Sequence, residues 1–190
     1  ERAEAAMRLQ VLISSPAYLA RPLLLPILAF DLVRSTVERG VGRESPYGFG
    51  LFALFLAAIN MADVAWVQGQ TALALLDRFE DRAIRTRPMH LVHGFVTQWI
   101  MPLRQTVQDE FAVYTNGLDT GDFEYACWGL HVSSANSFFA GLPLQKVARE
   151  LSNWTGVMTR YQQSAVLGVT AQFAQLAQNL VGEVEDPSRL

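Results

Sequence analysis

The sequence predicts an all-α fold, with about nine antiparallel helices forming an irregular stack of helical hairpins. Three observations carry this expectation. Apolar residues recur at helical spacing. No stretch sustains the period-2 alternation of a strand. Links of roughly two to four residues separate the periodic segments, and links that short force consecutive helices to pack antiparallel.

The periodicity is clearest in the second half. Leu103, Val107, Phe111, Tyr114 and Leu118 form one stripe, while Arg104, Gln105, Gln108, Asp109 and Asn116 lie opposite. Leu144, Val147, Leu151, Trp154 and Met158 repeat the pattern, as do Val166, Val169, Phe173, Leu176 and Leu180. Local chemistry marks the ends. Ser45-Pro46 reads as an N-cap followed by proline at the first helical position. Asp63 and Asp122 read as N-caps, and Gly40 and Gly182 as C-terminal stops. Gly141-Leu142-Pro143 separates two helices, and Pro22, Pro26 and Pro102 interrupt their segments. The expected helices lie near 2–14, 17–39 (broken at the prolines), 46–60, 63–81, 88–100, 103–119, 122–139, 143–160 and 163–182. Small residues on one face, Ala65, Gly69 and Ala72 in the fourth helix and Ala126 and Ser133 in the seventh, let a neighbouring helix come close. The chain is therefore expected to form one domain over 1–182, followed by a polar tail at 183–190.

Composition narrows the function. Half of the 190 residues are apolar, 17% are charged, and the formal charge is −3. Such a chain folds, and it lacks the basic excess of a nucleic-acid surface. The apolar runs Pro22–Phe30 and Pro46–Ile59 are shorter than the ~20 residues needed to span a bilayer, so they read as buried helices. The single cysteine, Cys127, excludes an intrachain disulfide and fits a reducing, cytoplasmic setting. The start at Glu1, with no leader pattern, suggests a segment of a larger protein.

Candidate chemistry is sparse. His90 and His93 share a helix face, but no carboxylate or cysteine stands at helical spacing to complete a metal site, so a surface or partly satisfied pair is expected. Cys127 and His131 are four apart on one helix. They lie side by side along its axis, with Cys127 on the apolar stripe, which suits packing and not nucleophilic catalysis. Lys146 is the only lysine and is preceded by Gln145, so no P-loop exists here. The Gly-x-Ser-x-Gly, His-Glu-x-x-His and Cys-x-x-Cys patterns are also absent. No catalytic, metal-ligating or cofactor-binding residue is assigned, and no cofactor is expected. The run Asp77, Arg78, Glu80, Asp81, Arg82, Arg85, Arg87 mixes signs. It reads as a solvated helix end with pairs Arg78–Asp81 and Asp81–Arg85, or as a docking edge built from Arg78, Arg82, Arg85 and Arg87.

One hairpin has a distinctive turn. Gly121-Asp122-Phe123-Glu124-Tyr125-Ala126 resembles the Gly-Asp-aromatic-x-x-Ala turn of tetratricopeptide repeats, with Leu130 and Ser133 at the large and small positions that follow. Tyr114 replaces the small residue expected in the first helix, and no 34-residue period recurs. Three stretches carry a wider resemblance: Ser45–Ala57, Gly69–Phe79, and Trp99–Arg104 leading to Tyr114–Ala126. Over roughly Leu25 to Glu150 the chain resembles the helical, tetratricopeptide-like region of large bacterial signalling proteins. Those proteins join a Ser/Thr-kinase-like domain, an AAA-type ATPase, this region, a GAF sensor and often a histidine kinase. The resemblance implies a role in coupling the ATPase and output domains, with any kinase or ATPase activity outside this segment.

Two functions follow as expectations. The first is a non-catalytic scaffold that docks neighbouring domains of its own or another signalling protein. A groove drawn from Phe49, Phe52, Trp66, Tyr114 and Trp128 would hold a helix or linker, and exposed apolar surface would favour homo-oligomers. The second is a small-molecule-sensing helical module of a signal-transduction ATPase, with the apolar helix from Pro46 walling the pocket.

Overall fold

Proline separates the first two helices at Pro22, as expected, but the breaks expected near residue 14 and at Pro26 do not form. A computed structural model describes residues 2–182. Helix α1, Arg2–Ala20, runs through Pro16 past its expected end at residue 14. Proline's φ suits a helix, and its ring removes only one intrahelical bond. The break falls at Arg21–Leu23, and α2 spans Leu24–Arg39. Pro26 therefore sits in the first turn of α2, where its missing N–H has no intrahelical role. Gly40 stops α2 at φ 97°.

Helix α3 spans Ser45–Ala58 and α4 spans Ala62–Leu76. A 3-10 turn at Arg82–Ile84 leads to α5, Thr86–Phe95, and another at Thr97–Trp99 follows. Then come α6 (Leu103–Thr120), α7 (Phe123–Phe139), α8 (Leu144–Arg160) and α9 (Ser164–Val181). The described residues are thus all-α, with nine α-helices and no strand. None of these helices is long and apolar enough to cross a membrane. The tail expected at 183–190 lies outside the described residues.

Several caps differ from expectation. Glu44 occupies the N-cap of α3, and Ser45 is its first residue. The Ser45 hydroxyl instead accepts from Gly42 N and bonds buried Thr36 Oγ1 at 2.8 Å. Asp63 lies inside the first turn of α4, after Ala62, and does not cap it. Asp122 does cap α7, accepting from Tyr125 N. The fourth helix ends at Leu76, not near 81, which releases the charged run into a turn.

The chain divides into two compact units, Glu1–Met101 and Pro102–Leu190. In the first, α3 packs against α2, α4 and α5. One core cluster joins Met7, Ala29, Leu32, Tyr47, Leu51 and Leu91, and another joins Ala53, Leu56, Ala57, Ala65 and Val96. The approach of α2 to α3 is close, since a Cβ at Gly48 would stand 2.8 Å from Leu32 Cβ. Between α1 and α2, the Gln10 amide donates to Asp31, and Arg34 pairs with the same carboxylate. The Gln10 bond, helped by Arg34, holds the Asp31 carboxyl below its usual range despite partial burial.

The second unit is two successive hairpins, α6–α7 and α8–α9, with α7 packed on α8. Their landmarks recur at one constant offset. Pro102 and Pro143 both precede a helix in extended conformation. Gly121 and Gln162 both take positive φ, at 80° and 57°, and Gly141 and Gly182 do the same at 69° and 82°. The backbone N–H of Asp122 reaches Gly117 O, and that of Gln163 reaches Met158 O, both at 2.9 Å. This is the six-to-one bond of a Schellman stop. The first unit contains the same stop at Asn60 (φ 62°), where Met61 N reaches Leu56 O. A recurring hairpin geometry thus exists without the 34-residue period sought in the sequence.

Candidate functional site

The aromatic residues proposed to line a groove fall into two groups. Phe49, Phe52 and Trp66 belong to the first unit and are half-buried. Phe52 packs against both cores of that unit and stands 5.2 Å from the Phe30 ring. Tyr114 and Trp128 belong to the second unit and are also half-buried. Both pack against the cluster of Cys127, Leu130, Met158 and Val166. Tyr114 meets Trp154 at 6.1 Å between ring centroids, and burial raises its hydroxyl pKa. Within each unit these rings border a core, which is the usual role of large aromatic side chains.

The charged run is spread over a turn. Arg78 and Arg82 are exposed. Arg85 folds back on the end of α4, donating to Leu76 O and to Asp77 Oδ1, each at 3.2 Å. That places a cation on the negative end of the helix dipole. Asp81 pairs with Arg43 across the unit and accepts from Ala83 N to cap the 3-10 turn. The Arg78–Asp81 and Asp81–Arg85 spacings assumed one continuous helix, and that helix has already ended at Leu76. Arg87, in the first turn of α5, is half-buried and lines a cavity.

The histidines are not a surface pair. His90 is 4% exposed and meets Phe95 edge-on at 5.4 Å. No group of three or more potential metal-ligating side chains occurs among the described residues. In the second unit Cys127 is fully buried, and desolvation pushes its thiol up to about 11. A thiol so held stays protonated and unreactive near neutral pH. His131 turns from Cys127 toward α9, where Nδ1 bonds Thr170 Oγ1 at 3.0 Å.

The cavity at Arg87 has a volume of about 150 Å³ and lies within the first unit. Three arginines reach it from distant segments: Arg8 from α1, Arg43 from the turn before α3, and Arg87 from α5. Glu44 also lines it, and Val11, Leu12, Tyr47, Ile84 and Pro88 supply apolar wall. Sequence inspection found only Arg87 among the polar members. Arg8, Arg43 and Glu44 carry no motif, and only folding brings them together.

The comparisons with known proteins are sparse. No family model matches the chain, and no solved structure matches it. Over 161 residues, 83% of this chain, it is 20% identical to the hybrid signal transduction histidine kinase G of Dictyostelium discoideum. The chain spans 5% of that protein's length, so it is similar to one small part of a signal-transduction histidine kinase.

Proposed function

We propose that this chain is a non-catalytic helical scaffold that docks or couples domains within a signal-transduction protein. The likeness to part of a signal transduction histidine kinase supports the signalling context. The observation that carries the docking role is the set of large apolar side chains left in solvent. In the first unit Leu9, Leu19, Leu23 and Ile27 are each more than 60% exposed. In the second, Phe139 is 66% exposed and Leu180 59%. Exposed apolar area of this kind is characteristic of surfaces that bind another protein. Neighbouring domains of the same gene product are the favoured partners, with tetratricopeptide-like stacking as the mode of presentation.

Cross-linking of the whole gene product tests the proposal. Replacing Leu23 and Ile27 by Asp leaves the first unit folded, because both side chains are already in water. The substitutions are expected to remove cross-links between α2 and neighbouring domains and to uncouple output from input. Unchanged cross-links together with unchanged output would refute docking through this surface. The second reading, a small-molecule-sensing module, is favoured by the cavity at Arg87.

A further inference from the structure

We propose that the cavity bounded by α1, the start of α3 and the start of α5 binds a small organic anion: a carboxylate or phosphate carried on a ring-sized apolar body. The inference rests on the sensing reading and assigns it a ligand class. Size comes first. About 150 Å³ matches a cavity that accommodates a single benzene-sized molecule. The apolar side chains of Val11, Leu12, Tyr47, Ile84 and Pro88 would cover such a body.

Charge comes second. Arg8, Arg43 and Arg87 line the space with one carboxylate, Glu44. Asp81 engages Arg43, and even with Asp81 counted the lining sets three guanidinium groups against two carboxylates. Guanidinium groups present paired N–H donors that match carboxylate and phosphate oxygens, which sets this lining apart from one built for a neutral ligand. Arg8 is exposed, so it can swing onto a ligand without leaving a buried partner behind. The first turns of α3 and α5 also line the cavity, and their dipoles add to the positive field.

Calorimetric titration of the chain with benzoate and phenyl phosphate, beside the neutral benzamide and benzyl alcohol, tests the proposal. The anions are expected to bind at least about tenfold more tightly than the neutral probes. Arg8→Gln should weaken anion binding about tenfold, while Glu44→Gln, which removes the one lining carboxylate, should tighten it. Melting without ligand shows whether each variant is folded, and the opposite signs of the two effects exclude a common loss of structure. Equal binding of neutral and anionic probes would overturn the anion inference and leave the sensing reading standing. No binding by any probe would overturn both. Binding that neither substitution alters would place the ligand elsewhere and overturn the assignment of this cavity.

Discussion

The α6–α7 and α8–α9 hairpins share a backbone register and differ in what fills it. At matching positions Thr106, Glu110, Ser133 and Asn136 face the interior of the first hairpin, and Val147, Leu151, Ala174 and Ala177 that of the second. Part of the polar interior is bonded. Asn136 donates to Thr106 Oγ1 at 2.8 Å, Ser133 to Val107 O at 2.9 Å, and Ser137 to Ser133 O at 2.9 Å. It is also tight. A Cβ at Gly117 would stand 2.8 Å from Ala126 Cβ, and one at Gly129 would stand 2.8 Å from Glu110 O. The apolar hairpin instead relies on methyl-rich side chains, with Leu151 and Val147 fully buried. The same turn geometry thus supports two packing solutions: small residues with hydrogen bonds across a close approach, and branched apolar side chains.

Substitutions can break that comparison. The largest effect is expected for Leu151→Ala, which opens a cavity at the centre of the apolar hairpin and should cost about 2–5 kcal/mol. Urea unfolding measures it, and a loss well under 1 kcal/mol would show that α8–α9 is not held by this core. Gly129→Ala is next. The added methyl meets the Glu110 carbonyl and Tyr114 N, both backbone atoms that cannot turn aside, and overpacking should cost about 1–3 kcal/mol. Gly156→Ala is a control for a helical glycine in solvent, where a methyl meets nothing, and it should stabilise by about 0.5–1 kcal/mol. Equal effects at the two glycines would deny that Gly129 is crowded by α6. A last substitution, with an effect of similar size, sharpens the turns. Gln162 holds the left-handed position that Gly121 holds in the other hairpin. Gln162→Gly should therefore raise stability by about 1 kcal/mol, read as a higher thermal midpoint.

Helix content was legible because burying one stripe imposes a 3.6-residue period on any amphipathic helix. The Leu103, Leu144 and Val166 segments became α6, α8 and α9 with no boundary shifted by more than one residue. The Gly121-Asp122 turn was legible for the same kind of reason, since only certain residues favour a left-handed stop and a carboxylate cap. The first helix was drawn too short, and α1 continues through Pro16 because a proline can lie within a helix at the loss of one bond. The fourth helix was drawn too long because charged residues carry little information about where a solvated helix ends. The recurrence of the hairpin was hidden because the equivalent interior positions hold polar residues in one copy and apolar residues in the other. A sequence repeat needs similar side chains, whereas a structural repeat needs only equivalent burial.

The candidate sites divide along the same line. The apolar character of Cys127 could be read from its stripe, and burial confirms it at 0% exposure. The burial of His90 could not be read, because it depends on α5 packing against α3 and α4. The sequence by itself determined that this chain would be helical, where most helices run, and that Lys146 and Cys127 offer no recognisable catalytic motif, because these properties follow from local periodicity and residue chemistry. Only the tertiary structure decided which arginines share a cavity, that Asp81 serves Arg43, and that two hairpins repeat one register. Those facts depend on contacts between residues far apart in the chain, and no local pattern encodes such distances.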